Sequence, residues 1–232
     1  MMILCNPQNP IGIVWSRATL QRLGELCLKY HVLVVADEIH CDLTLNGHTY
    51  TPFSSLTAPV AHNSISCISP SKTFNVAALH AATLIIPDAH VRALVSRGIN
   101  NDELAEPNSF AIPASIAAYT EGHDWVAVLR TKLAANQRQV QTYLTAELPQ
   151  VKLVEAQATY LLWLDVSQVT TDSAALAAFI RQRTGLFLSA GDVYRGDGNR
   201  FLRLNVACPT TTLTDGLARL KAGITAYQQV QA

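Results

Sequence analysis

The sequence predicts an α/β fold: a partial large domain built on a mostly parallel sheet, followed by a smaller C-terminal α+β domain. Three observations predict it. Apolar runs at 2–5, 32–36 and 65–68 are short and nearly continuous, as in parallel strands buried on both faces. An amphipathic helix pattern separates the first two, which makes a strand-helix-strand unit. From Val151 onward the pattern changes to short strands and two helices.

The elements follow in order. Residues 2–5 end at Asn6-Pro7-Gln8-Asn9-Pro10-Ile11-Gly12, where two Asn-Pro steps and a glycine forbid helix and force a turn. Ser16 reads as an N-cap, and Arg17 to Tyr30 as a helix with Leu20, Leu23, Cys27 and Tyr30 at helical spacing. Val32 to Ala36 is the second strand, stopping before Asp37-Glu38-Ile39-His40. Residues 42–64 read as loop, with a turn at Asn46-Gly47. Ile65 to Ile68 is the third strand and Ala81 to Ile86 a fourth. Asp88 to Ser96 is a helix. Pro113 to Leu148 is mostly helical, broken near Gly122, and leads out of the first domain. Lys152 to Val154, Tyr160 to Leu164, Leu186 to Leu188 and Phe201 to Val206 are strands of the second. A helix capped by Asp172 or Ser173 ends at Gly185, and a last one starts at Thr212 or Thr214. The expected division is 1–125 for the large-domain part, 126–148 for a connecting helix and 149–232 for the small domain.

Composition narrows the function. Of 232 residues, 49% are apolar and 15% charged, against a usual charged share of about 25%. A core is easily filled, and apolar surface is left for a partner to cover. Seventeen basic and seventeen acidic side chains cancel, so there is no basic field for nucleic acid. No run approaches the roughly 20 apolar residues of a membrane span, and Met1 to Asn6 does not read as a signal peptide. Five cysteines, without metal spacing, read as thiols of a reducing compartment. Cys5, Cys27 and Cys67 are expected in the core. A cytoplasmic location follows as the expectation, with no metal, membrane or nucleic-acid partner.

The candidate site is built around Ser69-Pro70-Ser71-Lys72-Thr73-Phe74-Asn75. A lysine at a strand end stands where α/β proteins bind ligands. In a partly desolvated pocket its amine loses its proton more readily and forms Schiff bases with aldehydes. Asn9, Asp37 and Lys72 follow the first three strands, so they are expected along one edge of the sheet. A carboxylate for a pyridine nitrogen, an amide for a phenolic oxygen and an amine for an aldehyde together suit pyridoxal 5'-phosphate.

These runs, with Arg203-Leu204-Asn205, resemble the class I/II aminotransferase superfamily of pyridoxal-phosphate enzymes, fold type I. Asp-Glu-Ile-His together with Ser-Lys-Thr-Phe-Asn is most similar to the cystathionine β-lyase, or cysteine C–S lyase, branch. The resemblance implies that Lys72 carries the cofactor and moves the Cα proton. It implies that Asp37 meets the pyridine nitrogen, that Asn9 and His40 meet the phenolic oxygen, and that Ser69 contributes to the phosphate site. Arg203 would clamp the substrate α-carboxylate, a task suited to its planar fork. The implied reaction releases thiol, pyruvate and ammonia from cystathionine or cysteine S-conjugates; the alternatives are amino-acid transamination by the same residues, or a non-catalytic remnant. The resemblance also implies a homodimer. His80 stands where the family often has a phosphate-binding arginine, and histidine offers no fixed charge at pH 7. Family members carry a long portion ahead of the Asn-Pro motif, so the chain reads as N-terminally truncated, with a missing N-terminal half as a partner.

Overall fold

The computed structural model describes residues 1–231. They form two compact units: 1–8 with 13–130, and 9–12 with the chain from Thr131 onward. The division falls inside a helix, a few residues past the expected 125, and it assigns Asn9 to the second unit.

The first unit is organised by a four-stranded sheet in the order β1 (Met2–Cys5), β2 (Val34–Asp37), β3 (Ser64–Ile68) and β4 (Thr83–Ile85). The first three strands are parallel and β4 is antiparallel to β3. Both Asn-Pro peptide bonds after β1 are cis. Helix α1 (Arg17–Lys29) crosses from β1 to β2, capped by Ser16 Oγ, which accepts from Thr19 N at 3.1 Å. Its Leu20 and Cys27 pack with Leu4, Val34 and Ala36 of the sheet. The segment expected as loop between β2 and β3 holds a short helix, α2 (Ala58–His62), whose Val60 joins this core. Five residues with a proline in the first turn are too brief for hydrophobic periodicity to show.

Strand side chains alternate between faces. The other face of the sheet carries Ile3, 69% exposed, and the row Cys5, Asp37, Cys67, all half-buried. Cys5 and Cys67 are therefore not core residues as expected; only Cys27 is buried. They lie one step out of phase with Leu4 and Ala36, which face the helices. Apolar surface also appears on α4 (Ala111–Glu121) and the start of α5 (His123–Glu147), where Ile116 and Val128 are exposed. Helix α3 (Ala89–Asn101) precedes them, capped by Asp88.

The long loop after β2 is pinned by a buried carboxyl. Glu38 is 2% exposed, and its Oε1 accepts from Phe53 N at 2.8 Å, with Tyr50 and Ser66 beside it. Burial pushes this carboxyl above its ordinary value, and the Phe53 N–H opposes the rise.

The second unit has an antiparallel sheet in the order β5 (Lys152–Leu153), β6 (Leu161–Asp165), β8 (Phe201–Asn205), β7 (Ser189–Ala190). Helices α6 (Ser173–Thr184) and α7 (Thr210–Gln231) and the latter part of α5 build its core through Val140, Leu144, Leu176, Ile180, Leu217 and Ile224. Asp172 caps α6, and Gly185 closes it at φ +76°. Leu186–Leu188 is not a strand as expected: pairing to β8 begins only at Ser189. Residues 9–12 belong here because Gly12 O accepts from Gln157 N and Ala158 N, at 2.9 and 3.0 Å.

Two expected outcomes follow. A Cβ on Gly24 would lie 2.2 Å from Val60 Cγ1, so Gly24→Ala is expected to lower unfolding stability by about 1–3 kcal/mol in urea melts. Glu38 holds its proton more tightly folded than unfolded, so its contribution to stability falls as pH rises above its ordinary 4.5. Glu38→Gln keeps an acceptor for Phe53 N and removes the titration. Its melting temperature should gain on the parent between pH 4.5 and pH 7, and a constant gap would show that Glu38 does not titrate there.

Candidate active site

Asp37 is the last residue of β2, not the first after it, and stands between Cys5 and Cys67 on the neighbouring strands. One of its oxygens, Oδ1, accepts from Ile39 N at 3.2 Å. His40 follows and is buried. Beyond β3, Lys72 lies in a turn closed by Phe74 N to Pro70 O at 2.9 Å and Val76 N to Ser71 O at 3.1 Å. Thr73, fully buried, donates to Asp42 Oδ2 at 3.1 Å, so the loops after β2 and β3 are joined beside the lysine. Phe74 stacks on Trp125 at 5.8 Å and meets the edge of Tyr119. It fills the space over Gly122, where a Cβ would lie 2.3 Å from Phe74 Cε1. The residues on both sides of Lys72 are thus anchored while Lys72 itself is exposed, not partly desolvated as the sequence suggested.

Ser69 is buried with its hydroxyl 2.6 Å from Ala81 O, a group that only accepts, and Ser71 N donates to it at 3.1 Å. Its hydroxyl proton is committed to the protein in this state. His80, where the resemblance would place an arginine, is exposed and left-handed at φ +50°. A cavity of about 460 Å³ in this unit is lined by Asp42, Tyr50, Phe74, Tyr119, His123 and Arg130, among others. Burial and the nearby Asp42 and Glu38 push the Cys41 thiol up to about 12, and burial raises Cys67 also. Neutral thiols are poor nucleophiles, which argues against cysteine catalysis.

In the second unit the sequence-predicted Arg203 and Asn9 are brought together. Arg203 lies mid-strand in β8, opposite Trp163 on one side and Ser189 on the other. Its Nη1 donates to Asn9 Oδ1 at 3.1 Å and to Tyr194 Oη at 2.5 Å, and its Nη2 to Ser189 Oγ at 3.1 Å. The guanidinium also lies 5.6 Å from the Tyr194 ring centroid. Trp163 stacks on Phe201 at 5.0 Å and receives the edge of Tyr194 at 5.4 Å. Burial raises the Tyr160 phenol, and the charge of Arg203 opposes that rise. Among the described residues no carboxylate pairs with Arg203. A half-buried cation held only by neutral acceptors is a ready receptor for an anion.

Ser189 and Tyr194 were not anticipated from sequence. Ser189 gains its meaning from strand register, which no local pattern records. Tyr194 left a signal: it is the one aromatic residue in the glycine- and aspartate-rich stretch 191–199.

Comparison with known proteins gives the family and the fold. The family model for aminotransferase class I and II matches residues 1–220. Cystathionine beta-lyase PatB of Bacillus subtilis is 44% identical over 224 residues, 97% of this chain and 58% of that protein. Protein MalY of Escherichia coli is 35% identical over 98% of this chain and 58% of its own length. Among solved structures, cystalysin of Treponema denticola, which contains pyridoxal 5'-phosphate, superposes with a TM-score of 0.92 at 28% identity, over 97% of this chain and 57% of its own. A pyridoxal-phosphate-bound C–S lyase of Staphylococcus hominis gives 0.87 at 30% identity, over 96% and 54%. The fold is accordingly fold type I, represented in part, since the chain spans under 60% of the length of these relatives. With a family model matching nearly its whole length, the chain belongs to the class I and II aminotransferases.

Proposed function

We propose that this chain carries the lysine, ring-carboxylate and carboxylate-clamp side of a pyridoxal 5'-phosphate site serving a C–S β-lyase of the cystathionine β-lyase kind. The reading rests on two observations, each within its own unit: Asp37 at a strand end with Lys72 on an anchored turn after the next strand, and Arg203 held by neutral acceptors alone among the described residues. The relatives named cystathionine beta-lyase and C–S lyase favour lyase over transaminase chemistry.

The residues fit the group. Lys72 offers an exposed primary amine on an anchored turn. Asp37 uses one oxygen on Ile39 N, and the other has no donor among the described residues, which suits a ring N–H. Asn9 accepts from Arg203 through Oδ1, so its amide Nδ2 remains a donor for a phenolic oxygen, with His40 as the second contact. When bound, the cofactor serves as an electron sink for a Cα carbanion. Lys72 Nζ would take the proton from Cα, Asp37 would face the ring nitrogen, and Arg203 would hold the α-carboxylate in place. The β-thiol leaves, and with one water consumed the remainder becomes pyruvate and ammonia. The substrate is a small sulfur amino acid, and the assembly is a homodimer.

The transaminase reading uses the same residues, so the assay separates them. Supplied with cystathionine and the cofactor, the protein is expected to release thiol and pyruvate in equal amounts. Keto acid without thiol would establish transamination instead. Lys72→Ala is expected to abolish both the yellow imine absorbance and borohydride-stable attachment of the cofactor, with turnover falling by several orders of magnitude. Attachment retained at another lysine would remove Lys72 from the mechanism.

A further inference from the structure

We infer that Tyr194 is a positioning residue for Arg203, one that closes one edge of the guanidinium and leaves a single edge for a carboxylate. The inference deepens the proposed function, resting on its reading of Arg203 as the carboxylate clamp. A guanidinium has five N–H donors. Both hydrogens of Nη1 are used, one on Asn9 Oδ1 and one on Tyr194 Oη, and one hydrogen of Nη2 is used on Ser189 Oγ. Among the described residues, Nε–H and the second Nη2–H remain. A carboxylate makes its strongest contact with two parallel N–H groups on one edge. The Nη1–Nη2 edge cannot offer two while Asn9 and Tyr194 hold Nη1. With Ser189 taking the Nη2 hydrogen that points toward Nη1, the Nε–Nη2 edge is the pair left, and the ligand is a single carboxylate approaching from that side.

Tyr194 is built for this task. It ends a short 3-10 turn, Gly191–Tyr194, that packs tightly: a Cβ on Gly191 would lie 2.3 Å from Gly198 O and 2.6 Å from Trp163 Cη2. The phenol ring is wedged edge-on against Trp163, which itself stacks on Phe201. The hydroxyl is therefore delivered to Nη1 by a ring that packing holds, and its ring face lies near the cation. Asn9 and Ser189 each make one contact with the guanidinium, whereas Tyr194 makes a hydrogen bond and a cation–π contact. Holding the fork before a ligand arrives lowers the ordering cost of binding.

The test uses the full chain with pyridoxal phosphate and the variants Tyr194→Phe, Tyr194→Leu and Arg203→Lys. The probes are L-alanine and L-alaninamide, which differ only in the carboxylate. Calorimetry gives the acid-over-amide preference, and nitrogen-15 spectra of the chain alone report rotation of the Arg203 guanidinium. Tyr194→Phe keeps the ring and loses the hydroxyl. Expected are a three- to tenfold loss of acid preference and faster guanidinium rotation, with a larger loss in Tyr194→Leu. In the sulfur-amino-acid assay KM should rise while kcat stays within twofold. Arg203→Lys should remove the preference altogether. If Arg203→Lys does so while Tyr194→Phe matches the parent in both preference and rotation, the positioning role is overturned and the clamp stands. If Arg203→Lys keeps the parent's preference, the clamp itself is wrong and the inference falls with it.

Discussion

The parallel register of the first three strands is the constraint on which the first unit depends. It sets Cys5, Asp37 and Cys67 in one row at the carboxyl end of the sheet. Everything chemically distinctive in this unit follows within five residues of that row: Glu38 and His40 after β2, Ser69 and Lys72 after β3. A slip of one residue in β2 would turn Asp37 toward the helices and Glu38 toward the open face. Register is held from the other side, by Leu4, Val34 and Ala36 packing against Leu20, Cys27 and Val60. The core of α1 and α2 thus decides which carboxylate is presented.

The second unit presents a charge in a different way. Its visible ion pairs, Lys221 with Glu147 and Arg219 with Asp215, are exposed and contribute little. Arg203 is half-buried and has three neutral oxygen acceptors in place of a counter-ion. Neutral acceptors orient a guanidinium without cancelling its charge. A carboxylate in their place would satisfy the cation internally and weaken its attraction for a ligand. The Trp163, Phe201 and Tyr194 cluster supplies rigidity that the acceptors alone would lack.

Much of this was legible in the sequence. Continuous apolar runs marked the three parallel strands, and the polar residues at their ends marked the candidate site. Capping residues placed the starts of α1, α3 and α6 closely. What stayed hidden depends on which residues meet across the chain. Ser189 and Asn9 reach Arg203 through register and a turn, over separations no periodicity spans. The half-exposure of Cys5 and Cys67 depends on strand phase, and their apolar neighbours in sequence pointed the wrong way. Leu186 to Leu188 looked like a strand because its residues suit one, yet β8 offers a partner only from Ser189.

The Asp37-Glu38 pair shows why a motif needs its fold. The two carboxylates are chemically alike and adjacent, so a sequence alone assigns roles to them only by likeness to other proteins. Alternation along the strand end separates their surroundings. Asp37 lies half-buried on the more open face, and its Oδ1 accepts from one backbone donor, Ile39 N. Glu38 lies on the closed face, where burial raises its proton affinity and Phe53 N donates to it. A carboxyl in that position cannot meet a cofactor without unfolding the 42–64 loop it pins. Two carboxyl groups given different environments can take different duties: the proposed site uses Asp37, and Glu38 holds in place the loop that ends at β3, the strand before Lys72.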